Sequence, residues 1–186
     1  MSASGEGCAL CGRERELQPR FGLHICGECN AGDFSAGLDP DWGASLRSER
    51  SEEVDPKHYE SALVCVLSIE LELPRPSPCV MRLVPERGGH KLVKLFKKEL
   101  QVGDKAFDDA VYIADEHREA TTDLLGREGV REAILVLLHE QFARLEFQAD
   151  RLHFQARHRG AFDPQALGMM TAMVALGRHL DRLAVA

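Results

Sequence analysis

"ARLEFQADRLHFQARHRG", residues 143–160, alternates apolar and polar side chains on both sides of an Ala149-Asp150 break. Leu145 and Phe147 fall on one side, and Leu152, Phe154 and Ala156 take that side again after the break. A strand sends successive side chains to opposite faces, so this period predicts a β-hairpin with one buried and one wet face. Antiparallel sheets carry such one-sided strands, whereas the strands of parallel sheets are covered on both faces and read as continuous apolar runs.

Working outward, "SALVCVLSIELEL" (61–73) is rich in β-branched and apolar residues and stops at a proline-rich turn, as a strand would. "CVMRLVP" (79–85) and "HKLVKLFKKEL" (90–100), joined across Glu86 to Gly89, predict a second hairpin. "FDDAVYIADE" (107–116) predicts a strand centred on Val111, Tyr112 and Ile113. The period then changes: in "TTDLLGREGVREAILVLLHEQ" (121–141), Val130, Ile134, Leu137 and Leu138 share one helical face. A helix of about three turns is expected there. "DPQALGMMTAMVALGRHLDRL" (163–183) has Asp163 as N-cap, Pro164 at the first helical position and apolar residues from Leu167 to Leu183, which predicts a long buried closing helix. Strands, a helix, a hairpin and a helix make an α+β fold, a mainly antiparallel sheet with two packed helices.

Ahead of this body stands "CALCGRERELQPRFGLHICGECN" (8–30), which holds four of the six cysteines as two C-x2-C pairs. A two-residue gap lets both sulfurs of a pair face one ion, and zinc wants four such ligands in a tetrahedron. Cys8, Cys11, Cys26 and Cys29 are the predicted ligands, with Pro19 to Gly22 turning a short hairpin that brings the pairs together. Four thiolates leave no open coordination position, so the zinc is expected to be structural. A thioredoxin-like redox pair is the competing reading; it requires one C-x2-C at a helix start, not two. His24 is a substitute ligand of lower rank, and Cys65 and Cys79, isolated in apolar strands, read as buried unreactive thiols.

The knuckle, hairpin and second knuckle opening a short helix over residues 28–38 resemble the treble-clef class of zinc finger; a zinc ribbon is the nearest competitor. That resemblance implies a zinc-held fold and no particular activity, since treble clefs serve in DNA binding, protein adaptors and fold staples. Residues 60–186, with "GDKAFDDAVYI", then "REAILVLL", then a hairpin and a closing helix, resemble an uncharacterised bacterial domain family with no activity to transfer. The expected division is a zinc-binding knuckle at 1–38, a polar linker at 39–56 containing Trp42, and an α+β domain at 57–186.

The apolar share of 44% and charged share of 28% are those of a globular chain, and no run of about 18 apolar residues offers a spanning helix. With no signal-peptide pattern at the N-terminus, a cytoplasmic location is expected, where paired cysteines are metal ligands more often than disulfides. The net charge of −7 disfavours nucleic acid. A basic stripe counts the other way: Arg151, His153, Gln155, Arg157 and Arg159 on the hairpin, with Lys91, Lys94, Lys97 and Lys98 on the preceding strand. Asp104, Asp108, Asp109, Asp115, Glu116 and His117 form the densest polar cluster, yet one strand would hold its two ends about 20 Å apart. Asp104 and Asp108 therefore read as turn residues. No nucleotide-binding, zinc-protease or serine-hydrolase motif occurs. The sequence thus reads as a non-enzymatic, zinc-binding adaptor for a protein partner, with a nucleic-acid-binding regulator as the alternative and no membrane association.

Overall fold

The computed structural model describes residues 7–11, 13, 15–30, 44–54, 61–86, 100–115, 118–139, 142–159 and 165–185. The elements are β1 (Leu17–Arg20), β2 (Leu23–Cys26), α1 (Gly27–Asn30), β3 (Ala44–Val54), β4 (Ser61–Glu72), β5 (Met81–Pro85), α2 (Lys105–Ala110), β6 (Val111–Asp115), α3 (Arg118–Gly126), α4 (Val130–Leu137), β7 (Arg144–Phe147), β8 (Arg151–Arg159) and α5 (Gln165–Val185). Strands β1 and β2 form a two-stranded ribbon, and the other six form one sheet in the order β3-β4-β8-β7-β5-β6. Every pairing is antiparallel.

The diagnostic hairpin stands at the sheet's centre. Leu145 lies opposite Phe154 and Phe147 opposite Leu152, and Leu145, Phe147, Leu152, Phe154 and Ala156 are all buried on one face. Leu67, Ile69 and Leu71 of β4 and Met81 and Leu83 of β5 extend that face. Helix α5 packs on β4 and β8, with α3 and α4 beside it. Residues 169–177 of α5 are buried without interruption, which marks a helix covered on all sides rather than an amphipathic one. The knuckle supplies part of that cover.

Four expectations need correction. The polar stretch taken as linker contains β3, which pairs with β4 along all eleven of its residues, Ala44 with Leu71 through Val54 with Ser61. Its backbone fills β4's open hydrogen-bonding edge, and an edge strand rich in charge needs no apolar alternation to pair. The segment expected to run as strand from Phe107 begins as helix α2, because the Asp104 carboxylate accepts from the N–H groups of Ala106 and Phe107 and starts a helical turn. The strand begins only at Val111. The single helix expected over 121–141 is two, α3 and α4, and with α2 and α5 the sheet has more helical company than two. Its break falls where Gly129 takes φ +76°, and a Cβ there would lie 1.9 Å from the Phe21 carbonyl carbon. The backbone of the β1–β2 turn passes so close that only glycine fits. Finally, β5 takes β6 and β7 as its neighbours; the expected partner at 90–99, the cap Asp163-Pro164, Trp42, Glu116, His117 and helix residues 31–38 lie outside the described residues.

Candidate metal centre

The β1–β2 ribbon turns at Phe21 and Gly22, both with positive φ (52° and 69°), the pair of left-handed residues that a two-residue hairpin turn demands. The ribbon pairs Leu17 with Cys26, so the second cysteine pair begins where β2 ends and continues into α1. The first pair is folded onto the same ribbon: the Cys8 N–H donates to the Arg13 carbonyl at 2.9 Å, and the Ala9 N–H donates to the His24 carbonyl at 2.9 Å. The sulfurs of Cys8, Cys11, Cys26 and Cys29 consequently lie within 4.8 Å of one another.

A tetrahedron with Zn–S bonds of 2.3 Å has sulfur–sulfur edges of about 3.8 Å. Cys11 Sγ and Cys26 Sγ are 3.9 Å apart, and none of the four cysteines is in a disulfide. Cys8, Cys26 and Cys29 are buried and Cys11 is half-buried. The four sulfurs are close enough to bind one metal ion.

The thiols themselves call for a cation. Burial pushes the Cys29 thiol upward, and the neighbouring Cys11 and Cys26 sulfurs push it further. Burial also raises Cys26. At Cys8 burial acts in the same direction, but backbone donors at Cys26, Leu10 and Cys11 outweigh it and bring the thiol down to about 7. The Cys26 N–H lies 3.3 Å from Cys8 Sγ. Four thiolates at this separation repel unless a divalent ion sits among them, and coordination deprotonates such thiols outright. Glu28 stands beside the group and pairs with Arg13 at 3.2 Å and with Arg15.

The knuckle is bound to the body through one stripe of α5. Thr171 Oγ1 donates to the Cys29 carbonyl at 2.7 Å, Arg178 Nη2 donates to the Leu10 carbonyl at 3.4 Å, and His179 Nε2 donates to the Phe21 carbonyl at 2.8 Å. Positions 171, 178 and 179 are seven and eight residues apart, one face of a helix. Leu10, Phe21, Leu23 and Ile25 are buried in the same continuous core as α5 and the sheet. No sequence motif marks these three polar residues; their signal is their spacing along one face of α5.

The other nominated residues serve elsewhere. The His24 side chain is exposed and is no member of the sulfur group. Cys65 and Cys79 are buried, each apart from the four. Asp104 caps α2 and pairs with Arg131 at 3.3 Å, while the Asp108 carboxylate accepts from the Val102 and Gly103 N–H groups at 3.0 and 3.1 Å. Lys105 pairs with Asp109. On the outer sheet face Arg151 is held by Asp150 and Glu70, at 3.0 and 3.2 Å. Lys91, Lys94, Lys97 and Lys98 lie outside the described residues, as does the side chain of Arg159.

No family model matches the chain, and no curated protein and no solved structure matches it either. No comparison supports the likeness of residues 60–186 to an uncharacterised domain family; the residues quoted for it are used locally by the fold, with Gly103 in a left-handed turn, Asp104 as cap, Phe107 buried and Asp108 as acceptor.

Proposed function

We propose that the protein is a zinc-stapled interaction protein: one Zn2+ held by Cys8, Cys11, Cys26 and Cys29 fixes the knuckle over α5, and the folded chain serves as an adaptor for a protein partner. The observation that carries the metal reading is the convergence of four sulfurs at near-tetrahedral spacing, mostly buried. Zinc fits because four sulfur donors suit a borderline-soft ion with no geometric demand of its own. The order of knuckle, ribbon and helical turn is similar to a treble clef, where a ribbon-type finger would place the second pair on another hairpin.

The adaptor role draws support from the body. Among the described residues a cavity of about 800 Å3 opens beside the knuckle, with Leu135, Val136 and Met169 in its wall and Arg127 and Glu128 at hand. The nucleic-acid alternative has less behind it, since Arg82 and Arg144 are both committed to Glu146, and Arg151 to Glu70 and Asp150. No helix among the described residues is long and apolar enough to cross a membrane.

Elemental analysis of the purified chain tests the metal reading, with one zinc per chain as the expected result. Iron in its place, or no metal in protein prepared without chelator, would overturn it. Pull-down of a partner whose binding falls steeply with salt and is lost on nuclease treatment would replace the adaptor with the nucleic-acid reading.

A further inference from the structure

The outer face of the sheet, away from the knuckle, brings together three side chains that no sequence motif announces. Ser68 on β4, His153 on β8 and Glu146 on β7 lie in line across three adjacent strands. Ser68 Oγ is 3.1 Å from His153 Nε2, and His153 Nδ1 is 3.7 Å from Glu146 Oε2. The register builds this row: His153 stands directly opposite Glu146, while Ser68, opposite Gln155, reaches it diagonally. Ile69, Phe154, Leu145 and Phe147 alternate to the buried face, so the three polar residues share the wet one.

Glu146 is fixed in place. Arg82 Nε donates to it at 2.9 Å and Arg144 donates to it through Nε and Nη2. Burial would raise its carboxyl, but those two guanidinium groups outweigh burial and hold it below the ordinary value. The Glu146 carboxylate, 3.7 Å from Nδ1 and too far for a direct hydrogen bond, electrostatically favours the tautomer with its proton on Nδ1, in which Nε2 accepts from the Ser68 hydroxyl. That is the nitrogen assignment a serine's general base requires. Glu70, on the other side of His153, is engaged by Arg151 and does not compete.

We propose that Ser68 is a nucleophile, with His153 as its general base and Glu146 as the positioning residue, and that it takes acyl groups from small activated esters arriving at the open sheet face. Ser68 Oγ attacks the carbonyl carbon as its proton passes to His153 Nε2. The bond from that carbon to the leaving alkoxide breaks, the alkoxide leaves with the proton from His153, and an acyl ester remains on Ser68. Water then attacks the ester by the same route, giving its proton to His153; the carboxylic acid departs and Ser68 recovers its hydroxyl. Gln155 stands directly opposite Ser68 in the register and is exposed, and the proposal assigns its amide N–H groups to the developing oxyanion. The site goes beyond the structural-metal reading and shares no residue with it.

The test exposes the full-length chain to a fluorophosphonate reagent, which phosphonylates an activated serine with loss of fluoride, and locates the adduct by peptide mass mapping. A single adduct at Ser68 is expected. Ser68→Ala should abolish it, and His153→Gln should slow it at least about 100-fold, the usual share of a general base. Both sites lie on the wet face, so melting curves should confirm that these variants fold. Glu146→Gln should slow labelling and Glu146→Asp should recover much of it, a rescue that sheet stability alone would not produce. No adduct on the native chain, an adduct on another residue instead, or equal labelling of His153→Gln or of chain unfolded in guanidinium would each overturn the proposal. Zinc content, read from the same sample, bears on the metal reading alone.

Discussion

At the scale of single residues, the junction between knuckle and body turns on His179. Only 3% of its surface is exposed, its Nε2 donates to the Phe21 carbonyl, and its Nδ1 has no hydrogen-bond partner among the described residues. Burial pushes its pKa below the ordinary 6.5; the bond to Phe21 pulls the other way, and Arg182 and Arg127 add to the depression. The folded chain thus keeps His179 neutral while the unfolded chain takes up a proton as pH falls. Stability from this residue is complete above about pH 6.5 and is lost progressively below it. Urea midpoints measured in zinc-saturated buffer from about pH 7.5 to about pH 5.5 should fall, and His179→Gln, whose amide can still donate to Phe21, should flatten the fall. Thiolate protonation weakens metal binding in the same range, but it does so equally in both proteins. Parallel curves for the two would show that His179 is no part of the acid response.

At the scale of elements, Asp104 and Asp108 of the acidic cluster are spent on one turn. Asp104 caps α2 from ahead and Asp108 reaches back to the Val102 and Gly103 N–H groups, a reciprocal arrangement that satisfies four donors the backbone would leave orphaned. Asp104→Ala should cost about 1 kcal/mol in a urea unfolding curve of unchanged slope, and it should leave metal content untouched. A loss of bound metal with the same substitution would return the cluster to the list of ion sites. This turn also shows what a sequence reveals and what it withholds. Alternation at Leu145, Phe147, Leu152, Phe154 and Ala156 was legible because a strand's period is written in consecutive residues. The cysteine quartet was legible because ligand spacing is local within each pair. Strand β3 was hidden, since its place comes from the backbone edge of β4 and its own residues are polar. The α2 cap was hidden because an Asp that ends a turn and an Asp that starts a helix read alike. The row of Ser68, His153 and Glu146 joins residues up to 85 positions apart and exists only through sheet register.

At the scale of the molecule, α5 is the axis around which the parts are arranged. The sheet covers one side, α3 and α4 another, and the knuckle a third, which is why residues 169–177 can be apolar all round or nearly so. The knuckle has little core of its own: Leu10, Phe21, Leu23 and Ile25 are buried within the core it shares with the body. A small finger of this kind folds by binding its metal, so the metal's binding free energy becomes folding free energy of whatever is packed against it. An ion bound only by the folded state stabilises it by about 4 kcal/mol when free metal stands 1,000-fold above the dissociation constant. Here that energy should reach α5 and through it the sheet. Removing the metal with a strong chelator, or substituting Cys29→Ser, should lower the midpoint of one unfolding transition rather than create a second. Amides of Ala172 to Leu180 should exchange faster with solvent in the same proteins, because Thr171, Arg178 and His179 lose the carbonyls of Cys29, Leu10 and Phe21 together. Full protection of those amides in metal-free chain would make the knuckle an appendage that α5 does not need.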